Sequence, residues 1–121
     1  MDNNRTAKRD SARQTALQVA HGMLAGNVPL IEGCQTLARL RIDAEIPPSE
    51  AFNVFRAVDS ETDGFPHENM RHEYAPELLA QLDAKVSRIL ARDTPIIMES
   101  CREVVREIET LQMGSCEGTV Q

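Results

Sequence analysis

The chain has 121 residues, enough for one domain with its own core, and its 41% apolar and 26% charged residues are those of an ordinary globular protein. No apolar run nears the roughly 20 residues of a membrane span, the polar start Met1-Asp2-Asn3-Asn4-Arg5 leads into no secretion leader, and a net charge of −6 excludes nucleic acid as a general partner. Aromatics make up 3%, so the core is aliphatic and suits helices better than sheets.

The expected architecture is all-α: a single-domain bundle of four to five helices over residues 1–113, frayed over 1–8, with a flexible tail over 114–121. The first helix is expected from about Asp10 to Ala25, with Ala16, Leu17, Ala20, Met23 and Leu24 on one face. Lys8, Arg9 and Arg13 near its start oppose the helix dipole, so they call for acidic partners elsewhere or for fraying. Gly26-Asn27 is a stop signal. The second helix opens near Asn27 or Val28 with Asn27 as cap and Pro29 in the first turn. It carries Leu30, Ile31, Cys34, Leu37, Ala38, Arg41 and Ile42 as a stripe and forms an antiparallel hairpin with the first.

Ile46-Pro47-Pro48 is a linker and Ser49 a natural cap for a shorter third helix, with Phe52, Phe55 and Val58 inward. Residues Asp59 to Tyr74 read as irregular. Pro76 then suits the first turn of a helix with Leu78, Leu79, Leu82, Val86, Ile89 and Leu90 apolar. Thr94-Pro95 interrupts it. Ile97, Cys101, Val104, Val105, Ile108 and Leu111 continue in phase, which fits one long C-terminal helix kinked at Pro95 or two helices broken there.

The acidic loop Asp59-Ser60-Glu61-Thr62-Asp63-Gly64 is the most distinctive segment. Acids directly after a helix oppose its dipole by about 0.3–1 kcal/mol each. Two structural escapes exist: Ser60 and Asp63 have capping-box spacing and open a new turn, or an arginine such as Arg39 or Arg71 takes up Asp59 or Asp63 bidentately. The alternative is a ligand or partner surface. Asp59, Glu61 and Asp63 imitate the start of a calcium loop, but Met70 stands where the twelfth-position Glu belongs and Pro66 occupies the eighth. His67 and His72 are five apart, so they do not form the zinc-protease pair, which needs four. His21 reads as structural. Cys34 and Cys101 lie on apolar stripes and read as buried free thiols; with Cys116 they are reduced cysteines of a cytoplasmic protein.

Leu30-Ile31-Glu32-Gly33-Cys34, the helix bearing Phe52 and Phe55, and Val58-Asp59-Ser60-Glu61-Thr62-Asp63 with Pro66 together resemble a group of small bacterial all-helical proteins sharing the Asp-Ser-Glu-Thr-Asp loop. The resemblance spans roughly residues 20 to 110. It implies a bacterial helical domain and attaches no activity.

Charge is uneven along the chain: six basic and three acidic residues through Arg41, seven and sixteen from Ile42 onward. With no catalytic, cofactor or metal motif in view, the sequence points to a non-enzymatic, immunity-like binding protein. Its basic partner would dock on the acidic loop and on Glu99, Glu103 and Glu107 of the last helix. The alternative is a small-molecule or divalent-metal site using Asp59, Glu61 and Asp63, with His67, Arg71 and His72 nearby. A homodimer through the C-terminal apolar stripe fits either.

Overall fold

In a computed structural model of the chain, residues 2–66 and 68–120 are described, with side chains described for 4–66 and 69–112. Four helices make the fold: α1 (Asp2–Ala25), α2 (Leu30–Asp43), α3 (Glu50–Glu61) and α4 (Pro76–Val120), with a short 3-10 segment at Glu68–Glu73. No strand occurs among the described residues. Packing runs α1 on α2, α2 on α3, α3 on α4 and α4 back on α1, with α2 and α4 meeting weakly across the middle. The helices therefore form a ring around one core of Ala16, Ala20, Met23, Cys34, Leu37, Phe52, Phe55, Val58, Ile97, Cys101, Val104 and Ile108. Phe52 and Phe55 meet edge to face, 5.5 Å between ring centroids. No helix among the described residues is long and apolar enough to cross a membrane.

The connections explain themselves chemically. α1 ends in a Schellman motif: Gly26 takes φ +82°, its N–H donates to Met23 O, and the N–H of Asn27 donates to Gly22 O. Asn27 is thus occupied closing α1. It does not cap α2, which starts after Pro29 with no side-chain cap. α2 closes the same way, with Glu45 in the left-handed position at φ +52° and the N–H groups of Glu45 and Ile46 donating to Ile42 O and Arg41 O. Ser49 caps α3 as expected, accepting from the Phe52 N–H.

α1 begins at Asp2, well before Asp10. Its basic first half lies along the end of α2: Arg5 pairs with Glu45 at 2.8 Å and Lys8 with Asp43 at 3.6 Å. Arg13 is buried and donates from Nε to Ala44 O at 2.8 Å. These contacts supply the acidic and carbonyl partners that its cations call for.

Of the two alternatives at Pro95, a break into two helices is not found: α4 runs through the proline as one helix, which gives four helices among the described residues. Pro95 and Ala91 both lie on the exposed side, where water can serve the Ala91 carbonyl that proline leaves unpaired. Ile97, Cys101, Val104 and Ile108, all fully buried beyond it, hold the helix on the core. Thr94 does not cap a new helix: its hydroxyl donates to Leu90 O at 2.5 Å. The tail expected over 114–121 lies outside the residues whose side chains are described.

Candidate functional site

α3 does not stop before the acidic loop. It continues through Asp59, Ser60 and Glu61 and ends at Thr62. The reason is Thr62, which is buried four residues after Val58 and donates its hydroxyl to Val58 O at 2.8 Å while accepting from Gln35 Nε2 at 2.8 Å. Ser60 is exposed and lies inside α3 rather than at the start of a new helix; its carbonyl accepts from the Asp63 N–H at 3.4 Å as the chain leaves α3. The capping-box escape therefore fails, and Asp59 and Glu61 sit in the last turn against the dipole. Neighbouring helices compensate. Arg39 of α2 lies 3.7 Å from Asp59, a single long contact rather than a buried bidentate pair, and Arg92 of α4 pairs with Glu61 at 2.8 Å. Arg92 also holds Asp93 at 2.7 Å and keeps the Asp93 carboxyl below its ordinary range.

The remaining predicted residues scatter. Asp63 is exposed. Arg71 forms a bidentate pair with Asp83, at 3.0 and 2.8 Å. His72 is exposed in the 3-10 segment, His21 is exposed on α1, and His67 lies outside the described residues. With Asp59 and Glu61 helical, the calcium-loop imitation has no loop to begin in. Among the described residues no three His, Cys, Asp or Glu side chains gather closely enough to hold a metal ion.

On α4, Glu99 pairs with Arg102 at 2.9 Å and Glu103 with Arg106 at 2.9 Å. That acidic row is largely neutralised from within. Glu107 is half-buried, and burial with Glu103 nearby raises its carboxyl above the usual range.

A groove emerges instead beside the loop. Gly64 at φ +84° turns the chain so that Phe65 and Pro66 return over α4, where Lys85 Nζ sits 5.5 Å from the Phe65 ring centroid. One wall is Pro29, Leu30 and Ile31 at the start of α2; the floor is Leu82, Val86, Leu90 and Thr94, every fourth residue of α4; Phe65 and Pro66 close one side. Its volume is about 360 Å³. Leu82, Val86 and Leu90 are only half-buried, and Leu78 farther along is 41% exposed. The polar rim is Glu32, Gln35, Arg71 and Asp83. Across the Phe65-Pro66 wall lies a smaller hollow of about 250 Å³ with Arg39, Asp59, Asp63, Met70 and Tyr74. The groove therefore gathers Arg71 from the predicted set, the hollow Asp59 and Asp63, and neither is lined by Glu61 or His72. Leu30, Ile31, Phe65, Leu82, Val86 and Leu90 carry no signal in the sequence beyond apolar periodicity, which marks a face without saying what covers it.

No family model matches the chain, and no curated protein or solved structure matches it either.

Proposed function

We propose that this chain works by holding a protein partner and catalyses no reaction, the partner presenting an amphipathic helix with a basic flank. The observation that carries the reading is the half-covered row Leu82, Val86 and Leu90, faced by Pro29 and Leu30 across an apolar groove. A helix laid in such a groove inserts side chains three and four residues apart. Charge sets the flank: the groove is rimmed by Glu32 and Asp83 against Arg71, and the adjoining hollow by Asp59 and Asp63 against Arg39. Both are acidic on balance, as is the chain. Glu99 and Glu103 of the last helix leave the reading because Arg102 and Arg106 already engage them. A bacterial immunity-type protein that blocks a basic toxin is the version of this role that fits size and charge.

A photoreactive amino acid in place of Val86 tests it, cross-linked in the native cell. One dominant adduct is expected, mapping to a Lys- or Arg-flanked helix and weakened by Glu32→Lys with Asp63→Lys. An adduct pattern identical to that from the same probe at exposed Asn53 on α3 would overturn the reading.

A further inference from the structure

The sulfur atoms are not spread through the molecule. Of the five Met and Cys side chains described, Met23, Cys34, Met98 and Cys101 belong to one region, and Met70 alone is elsewhere. Cys101 Sγ lies 3.7 Å from Met23 Sδ, with Met23 on α1 and Cys101 on α4. Gly33 of α2 makes room for this arrangement, because a Cβ there would collide with the Met23 thioether. Cys34 follows Gly33 directly and is fully buried. Burial pushes its thiol up to about 12, with Cys101 adding to the shift. Met23 is also part of the wall of a separate cleft of about 420 Å³, which Met98, Leu24, Val28 and Thr94 line with it. A thioether at the cleft thus leads to a second sulfur immediately behind it.

We propose that Cys101 and Met23 form a binding site for a soft monovalent metal ion of the Cu(I) class, entered through the cleft that Met98 lines. Thiolate and thioether ligands select Cu(I) over harder ions. The charge balance fits an apolar core. As the S–Cu bond forms, the Cys101 thiol releases its proton to solvent and no electron is transferred. One thiolate then neutralises a monovalent ion, while the thioether adds no charge. A divalent ion bound in the same way would leave a buried net charge, which is costly in the absence of a partner. The cluster has only two residues of the usual His, Cys, Asp and Glu set, so it is consistent with the lack of a harder metal site among the described residues.

The test uses the full chain with Cys116→Ser, which removes the third thiol, titrated anaerobically with Cu(I) against a chromophoric Cu(I) chelator. One equivalent is expected to be withheld from the chelator, and the melting temperature to rise. Met23→Leu keeps the volume and removes only the sulfur; it should weaken retention at least about tenfold, as should Cys101→Ala, with helicity by circular dichroism unchanged. Met70→Leu should change nothing. The proposal is overturned if the chelator strips the parent chain as readily as the Met23→Leu chain, if Met70→Leu matches Met23→Leu, or if Zn²⁺ is retained as strongly as Cu(I).

Discussion

Replacing Arg13 tests how the end of α2 is held. Arg13 is 7% exposed, and its guanidinium donates to Ala44 O at 2.8 Å and more weakly to Glu45 O at 3.4 Å. Ala44 is fully buried, so its carbonyl has no water to fall back on. Arg13→Met keeps most of the aliphatic stem and removes every donor. A lost charge-assisted bond and an orphaned buried carbonyl each lie in the range of about 1–3 kcal/mol and overlap here, so the expected loss is about 2–3 kcal/mol. With an unfolding entropy near 2.1 cal/mol/K per residue, that lowers Tm by about 8–12 °C for a chain of this length. Arg13→Ala should lose roughly 1 kcal/mol more, because the stem packing goes too. Urea unfolding followed by circular dichroism measures both, with the midpoint shifted and the slope unchanged. If Arg13→Met unfolds within about 0.5 kcal/mol of the parent chain, the guanidinium is not what holds the α2 terminus.

Three further outcomes follow from local geometry. Glu45→Gly relieves a left-handed backbone at φ +52° and gives up only an exposed ion pair with Arg5, so thermal melting should show a gain of about 0.5–1 kcal/mol. Gly33→Ala should destabilise by about 1–2 kcal/mol in spite of the better helix former, since the new methyl meets the Met23 thioether; a rise in Tm would contradict the close approach. Glu107 is raised by burial and by Glu103, so its ionised form is disfavoured in the native state. Above both its folded and unfolded values the native state carries that penalty, and below both it does not. Glu107→Gln should therefore raise Tm at pH 7, and the gain should vanish under acid conditions below the ordinary carboxylate range.

Much of the bundle is legible from local rules. Ser49 caps, Pro76 opens a helix and Gly26 closes one because each satisfies or spares a backbone group, whatever surrounds it. Two boundaries are not legible because the deciding partner is distant in sequence. Asp59 to Glu61 read as loop since acids oppose the dipole; the helix continues because Gln35 reaches Thr62 and because Arg39 and Arg92 arrive from other helices. Pro95 leaves one helix or two open in the sequence, and burial on its far side holds α4 together. Leu82, Val86 and Leu90 share the period of true core residues, and only the missing cover makes them a groove. The pairing of Glu99 and Glu103 with Arg102 and Arg106 is different: the three-residue spacing is visible in the sequence and already argues against a free acidic row.

The ring of helices also dictates how the chain gets there. Three of its four main contacts join consecutive helices, so most of the structure forms without bringing distant parts of the chain together, the pattern of fast-folding proteins. Only the return of α4 onto α1 closes a long loop. Its entropic cost grows slowly with length, but it comes due before Ile97, Cys101, Val104 and Ile108 are buried. The folding barrier should therefore be set by this closure, and truncating Val104 or Ile108 to Ala should slow refolding more than truncating Leu37, which a stopped-flow chevron would resolve.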